Sequence, residues 1–319
     1  QISVDEDLGL AYLPVETPTS DFYGGQRPGN NLFADSIVAV DLKTGQRKWH
    51  YQLVHHSLWN FDVSAAPILA DITVNGRPVK AVLAMTKAAM MYVLDRASGQ
   101  PVWPIEERPV PRGDVPGEWY SPTQPVPTRP RPYDLQGVVE DALIDFTPEL
   151  RQEALRNVAR YRLGPIFTPP VVSRLEGPLA GFRSSGGTNW PGGSYDPETH
   201  VAFVPSFTSF PTVALMRSPS REFSDLDWVA GNALTGARST QPMGAAPGRP
   251  SIVITKGANA GAGGAGGGGG EGGPAMTVQG LPLVKPPYGS ISAISLDKGQ
   301  ILWQIPHGDT PDAVRNHPD

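Results

Sequence analysis

The sequence predicts an all-β fold in which short four-stranded antiparallel sheets are arranged around an axis, as in a β-propeller. Gly and Pro account for 36 and 35 of the 319 residues, which favours many short strands joined by turns over long helices. One pattern also recurs along the chain: an alternating apolar strand, a turn with glycine, and a tryptophan four residues after that glycine. This repeat is typical of propeller blades.

The repeat occurs three times, at residues 36–49, 91–103 and 291–303. In the first two copies an aspartate precedes the glycine by four residues, whereas Ser295 stands at that position in the third. Aspartate followed by glycine is typical of a tight turn between antiparallel strands. We expect the tryptophans that end the copies to pack between neighbouring sheets; they are Trp49, Trp103 and Trp303.

The other elements follow in chain order. An apolar run at residues 8–15 predicts a strand, and a long polar loop follows at 16–31. Strands are expected at 67–72, 81–85, 90–94 and around Val102, which makes one four-stranded sheet. Asn75-Gly76 is a strong hairpin signal between the first two of these strands.

A proline-rich and helical excursion is predicted at residues 104–170. Its one substantial helix is expected near 148–162, with Thr147 as the N-cap and Pro148 in the first turn. Leu150, Ala154 and Val158 fall on one face of this helix. Residues 257–274 are nearly all Gly and Ala, so we expect a disordered insertion within a single propeller domain that spans 1–319.

Composition excludes several classes of protein. A net charge of -5 without a basic stripe argues against nucleic acid as a partner. The chain has no cysteine, which removes disulfides, thiolate metal sites and thiol catalysis. No apolar run approaches the roughly 20 residues of a membrane helix. Because neither end resembles a natural terminus, we expect a piece of a longer protein.

The polar, aromatic-rich segment 55–62 lies between the first two copies of the repeat, and we expect the chemistry there. His56, Asn60 and Asp62 can accept or orient a proton, and Lys87 can supply positive charge. Each also has a structural explanation, because His55-His56 can be a packing pair, Lys87 an edge lysine and Asp62 a turn cap. Asn189-Trp190 likewise fits a turn followed by a core aromatic residue.

These motifs resemble the PQQ-dependent quinoprotein dehydrogenases, in particular the glucose-dehydrogenase-like branch. The resemblance lies in residues 39–49, which match the blade signature, and in the segments 59–62, 102–109, 186–190 and 286–289. It implies an eight-bladed propeller, of which this chain would supply about half of the ring. It also implies oxidation of a sugar or alcohol, such as glucose to its lactone, by hydride transfer to the quinone with a carboxylate as base.

The same resemblance implies the partners and the site. We expect PQQ and Ca²⁺ as cofactors, a quinone as electron acceptor, a periplasmic location, and membrane association only through parts absent from this chain. The expected catalytic residues are Asp62 and Asn60. The expected contacts are Lys87, Asn189 and Trp190 for the cofactor, His56 and Trp59 for the substrate, and Glu16 and Asp62 for the metal.

Two departures from the family pattern matter. Asn60 stands where the family has its catalytic aspartate, and an amide cannot act as a base, so we expect Asp62 to take that role. On this view Asn60→Asp preserves or raises activity. Glu16 stands where the family often has a calcium ligand, and its carboxylate is a hard oxygen donor. The alternative is a non-catalytic propeller, either a binding or scaffold module or an inactive truncated remnant.

Overall fold

The first tryptophan repeat belongs to one sheet of four antiparallel strands. A computed structural model describes residues 1–234, 236–237, 276–310 and 312–318. The strands of this sheet are β1 (Ser3–Asp5), β2 (Leu10–Val15), β3 (Ser36–Asp41) and β4 (Arg47–Gln52). Asp41 Oδ1 accepts hydrogen bonds from the backbone N–H of Lys43 at 3.1 Å and of Thr44 at 2.9 Å. Gly45 has a φ of 69°, so the predicted Asp-to-Gly turn joins β3 to β4.

The second sheet follows directly and carries the second repeat. Its strands are β5 (Ile68–Val74), β6 (Arg77–Met85) and β7 (Met91–Asp95). Asn75 and Gly76 have φ values of 52° and 75°, which confirms the predicted hairpin turn. The fourth strand expected around Val102 is only an isolated bridge between Leu94 and Pro101. Proline has no N–H to donate to a ladder, so this edge does not extend.

The predicted excursion at 104–170 contains more regular structure than expected. A hairpin of β8 (Ile105–Pro109) and β9 (Thr123–Pro127) lies in the proline-rich part. The helix α1 (Pro148–Val158) is confirmed: Thr147 Oγ1 accepts a hydrogen bond from Leu150 N, and the predicted apolar face is buried. It ends before 162 because a short strand starts at Tyr161. The short strands here are β10 (Gly137–Val138), β11 (Tyr161–Arg162), β12 (Gly164–Pro165), β13 (Val171–Val172) and β14 (Ala180–Phe182).

The third blade is interrupted by an insertion between its second and third strands. The remaining elements in chain order are β15 (Ser194–Asp196), β16 (Val201–Phe207), β17 (Thr212–Arg217), β18 (Trp228–Asn232), β19 (Gly236–Ala237), β20 (Thr277–Val278), β21 (Leu281–Pro282), β22 (Gly289–Ser295), β23 (Gln300–Pro306) and α2 (Asp312–Arg315). The blade has the order β15-β16-β22-β23, while β17, β18 and β19 join β11, β13 and β14 in a separate sheet. The expected disordered segment 257–274 lies outside the described residues.

The three sheets follow one another in space as they do in sequence, since β1 and β15 both contact β5. One apolar cluster fills the space between the first and second sheets, and another fills the space between the second and third. No helix in the ranges that the structure describes is long and apolar enough to cross a membrane.

Each buried repeat tryptophan meets the turn glycine of the following repeat. A Cβ on Gly99 would lie 2.6 Å from the Trp49 ring, and a Cβ on Gly299 would lie 3.1 Å from the Trp103 ring. Trp49 and Trp103 are buried, as predicted. The prediction is wrong for Trp303, which is 44% exposed. It lies on β23, the outer strand of the last blade, and no further sheet of the described residues covers it.

Candidate functional site

The turn between β4 and β5 holds the polar segment in a fixed backbone conformation. His56 and Asn60 have φ values of 45° and 59°, in the left-handed region where Asn and His are several-fold enriched. Asp62 follows Asn60 by two residues, and both side chains point towards Lys87. The local turn thus places an amide and a carboxylate side by side.

Lys87 lies in the tight turn between β6 and β7 and is buried, with 1% of its surface exposed. Its Nζ donates to Asn60 Oδ1 at 2.7 Å and to Asp62 Oδ2 at 2.6 Å. These three side chains therefore form one hydrogen-bonded group. Asp62 is also buried, and its Oδ1 accepts a hydrogen bond from Thr17 N at 2.8 Å. Burial of the Lys87 ammonium group and the Asp62 carboxylate away from water is costly, so each charge needs the other as its partner.

The loop at 16–31 adds a carboxylate that the sequence did not reveal. Asn60 Nδ2 donates to Asp21 Oδ2 at 2.7 Å, so the amide connects Asp21 to Lys87. Asp21 and Asn60 are 39 positions apart. No local periodicity relates two loop residues at that separation, and the contact emerges only from the fold.

A second unpredicted carboxyl group is Asp35, which is 0% exposed. Burial is the main cause that raises the pKa of Asp35 well above its usual value; the hydrogen bond from Thr17 opposes this and the charge of Asp62 adds to it. Thr17 Oγ1 donates to Asp35 Oδ1 at 2.9 Å, while Thr17 N donates to Asp62. Thr17 therefore links the two carboxyl groups.

The two residues expected to touch substrate are buried here. His56 Nδ1 lies 2.7 Å from Gly29 O, and its Nε2 lies 2.9 Å from Oε1 of the buried Glu118. Trp59 packs in the apolar cluster between the first two sheets, and its Nε1 donates to Thr168 O at 2.8 Å. Their observed contacts are internal to the chain, and their contact with substrate stays a prediction.

Gly187, two residues before Asn189, packs directly against the turn that carries Lys87. Gly187 has a φ of 64°, and a Cβ there would lie 2.6 Å from the carbonyl carbon of Lys87. The predicted cofactor segment is thus next to Lys87. Asn189 itself faces a local turn, in which its Oδ1 accepts a hydrogen bond from Trp190 N at 2.8 Å. Trp190 is exposed.

The expected metal ligands do not form a complete site by themselves. Glu16 is exposed, and Asp62 faces the ammonium group of Lys87. Within the described ranges, no group of three or more His, Asp or Glu residues is placed to hold a metal ion. Since Ca²⁺ takes six to eight oxygen ligands, Asp62 and Glu16 alone cannot complete its shell even if both bind through two oxygens.

Comparisons with known proteins identify the family of the chain. The family model described as PQQ, glucose/ethanol/alcohol dehydrogenase, beta-propeller domain, matches residues 1–318. The chain therefore belongs to this family of PQQ-dependent dehydrogenases, and its sheets are blades of a β-propeller.

Curated relatives match almost the whole chain. It is 33% identical over 319 residues to the quinoprotein glucose dehydrogenase of Escherichia coli (strain K12), in an alignment that covers 97% of this chain and 36% of that protein. It is 31% identical over 310 residues to the glycerol dehydrogenase large subunit of Gluconobacter oxydans (strain 621H), with 95% and 39% covered. The quinate/shikimate dehydrogenase (quinone) of Acinetobacter baylyi is 29% identical over 315 residues, with 98% and 36% covered.

The chain spans between 36% and 39% of the length of these relatives. Among solved structures, the quinohemoprotein alcohol dehydrogenase from Comamonas testosteroni matches with a TM-score of 0.48 and 20% identity, over 96% of this chain and 34% of that one. Since the relatives act on glucose, glycerol and quinate or shikimate by name, family membership leaves the substrate of this chain open.

Proposed function

We propose that this chain is part of a PQQ-dependent dehydrogenase that oxidises a sugar or alcohol, with a glucose-like substrate converted to its lactone. The observation that supports this most directly is the buried Lys87 ammonium group, 2.6 Å from Asp62 and 2.7 Å from Asn60. A buried cation that oxygen acceptors hold in one position is suited to an anionic cofactor.

Oxidation of an alcohol by hydride transfer requires a base for the hydroxyl proton and an electron acceptor. PQQ, when bound, supplies the accepting quinone. In this proposal Asp62 takes the hydroxyl proton on its carboxylate, because the Asn60 amide cannot. Lys87 places positive charge where negative charge develops, and Asn60 orients the ammonium group.

The donor set fits PQQ better than it fits a complete calcium site. Lys87 offers a cationic donor, and the Gly186-Gly187 backbone lies directly beside its turn. A Ca²⁺ ion would need further oxygen donors besides the proposed ligands Asp62 and Glu16. The Asp62 carboxylate would also have to turn away from the Lys87 ammonium group or contact both cations. The proposal includes a quinone as electron acceptor and, by family resemblance, a periplasmic location.

The test is a PQQ titration of the purified chain followed by ultrafiltration, with and without Ca²⁺. Lys87→Gln removes the cation, and Lys80→Gln is the matched control because Lys80 is an exposed lysine on β6. We expect saturable binding by the wild type and Lys80→Gln, and loss of binding by Lys87→Gln. Equal binding by all three would contradict the assignment of Lys87.

Dye reduction with glucose then tests the base. Asp62→Asn should retain PQQ and lose most turnover, since a positioned base contributes roughly 10² to 10⁴ in rate. The second candidate function is a non-catalytic propeller. It is favoured by the amide at position 60 and by the fact that both oxygens of Asp62 already accept hydrogen bonds. PQQ binding without turnover by the wild type would support it.

A further inference from the structure

The Asn60 side chain bridges two charged groups of opposite sign. Its Oδ1 accepts from Lys87 Nζ at 2.7 Å, and its Nδ2 donates to Asp21 Oδ2 at 2.7 Å. An amide has one accepting end and one donating end, so only one of its two orientations satisfies both neighbours. Asp21 and Lys87 therefore select the same orientation, in which the oxygen of Asn60 and not its nitrogen faces Lys87.

We infer that Asp21 is a positioning residue of the proposed active site, which acts through Asn60 on Lys87. The inference rests on the proposed function for the meaning of the site, although the contact itself does not. Asp21 and Asn60 together present Lys87 with an oxygen acceptor at contact distance and a nearby negative charge, which one carboxylate at position 60 would also supply.

The loop that carries Asp21 is fixed to the site at several points. Thr17 N donates to Asp62 Oδ1 at 2.8 Å. The Arg27 side chain donates to Ser20 O at 2.9 Å and to Ser57 O at 2.8 Å, which joins the loop to the turn at 55–62. Because these contacts surround Asp21 in sequence, its carboxylate is held at Asn60 by the loop as a whole.

This arrangement changes the expected result of restoring the family's aspartate. A carboxylate at position 60 has only acceptor oxygens, and it would meet Asp21 Oδ2 at hydrogen-bond distance. Two carboxylates at that distance repel each other. Asn60→Asp alone therefore damages the site, contrary to the expectation from the resemblance. The paired exchange Asp21→Asn with Asn60→Asp keeps an oxygen acceptor for Lys87 and restores the hydrogen bond between positions 21 and 60 with its donor and acceptor reversed.

The experiment is a double-mutant cycle on the full chain, followed by thermal unfolding. Asn60→Asp should lower the melting temperature more than Asp21→Asn, because the amide oxygen at position 21 can still accept from Asn60 Nδ2, and the double variant should recover most of the summed loss. Asp7→Asn combined with Asn60→Asp is the matched control, since Asp7 is exposed, and it should show no recovery. Additive losses in the Asp21 pair would refute the inference. If the single variants do not fold, a folded exchange variant supports it.

A second measurement uses the wild type alone and covers the case in which no variant folds. In a chain with ¹⁵N-labelled asparagine, the Asn60 side-chain amide should exchange with solvent at least about tenfold more slowly than that of the exposed Asn75. Equal exchange would refute the inference. Neither readout involves PQQ, so the two proposals can fail separately. Recovery in the double variant without PQQ binding by the wild type would support the Asp21 contact and reject the proposed function. PQQ binding without recovery in the double variant would reject only the contact.

Discussion

The ion pair between Lys87 and Asp62 should be one of the most sensitive points of the fold. Lys87→Met removes a cation from a side chain that is 1% exposed and leaves the Asp62 carboxylate, 10% exposed, with Thr17 N as its observed donor. Breaking a buried pair by removing one partner costs about 3–5 kcal/mol, because it leaves a buried charge uncompensated. The total stability of a folded domain is only about 5–15 kcal/mol.

The loss should depend on which partner is removed. Asp62→Asn leaves Lys87 with the Asn60 oxygen at 2.7 Å, so part of its hydrogen bonding survives. The double variant Lys87→Met with Asp62→Leu removes both charges and should be more stable than the sum of the single losses predicts, because neither charge of the pair is left buried without the other.

Urea unfolding at fixed pH and ionic strength gives these free energies, with Lys80→Met as the control on an exposed lysine of β6, the strand that precedes the Lys87 turn. We expect the control to lie within about 0.5 kcal/mol of the wild type. A loss below about 1 kcal/mol for Lys87→Met would show that the pair behaves as an exposed one. That result would contradict the burial on which the candidate site depends.

The blades could be predicted because their determinants are local and repeated. The Asn75-Gly76 turn needs only its own left-handed backbone, and the Asp-to-Gly turn of the first repeat needs only a carboxylate beside two N–H groups. The Gly-to-Trp interval also predicted that Trp49 and Trp103 are buried. It could not show that Trp303 is exposed, since a repeat carries no information about whether another sheet covers it.

The site could be predicted only where its residues lie in recognisable turns. Asn60, Asp62 and Lys87 each follow or precede a strand of the repeat, and the structure brings them together. Asp21 and Asp35 lie in a loop without periodicity, and their partners are determined by how that loop folds onto the first two blades. The burial that raises the pKa of Asp35 is likewise a property of the packed structure.

Three further substitutions test the local structure. Thr147→Ala removes the helix cap that accepts from Leu150 N at 3.2 Å and should cost about 1 kcal/mol in urea unfolding, whereas no loss would reject the cap. Both Gly187 and Gly45 have positive φ, where a side chain costs about 1–2 kcal/mol. Gly187→Ala should nevertheless destabilise the fold more than Gly45→Ala, because only Gly187 faces backbone atoms at close distance. Equal losses would contradict that close approach. Asp35→Asn should change how stability depends on pH, measured by urea unfolding at a series of pH values.

The sign of the Asp35 effect follows from its buried carboxyl group. Its pKa in the folded chain is raised well above 3.8, so the folded state keeps the proton at pH values where the unfolded state has lost it. The stability contribution of Asp35 is therefore complete below its ordinary pKa and is lost as pH rises through the raised value.

Asparagine has no proton to lose and tolerates the left-handed φ of 47° at this position. As pH increases, the wild type should become less stable relative to Asp35→Asn. The unfolding free energy of the control Asp7→Asn should change with pH as that of the wild type does. A difference that stays constant with pH would show that burial does not raise the pKa of Asp35, and the reasoning would be refuted.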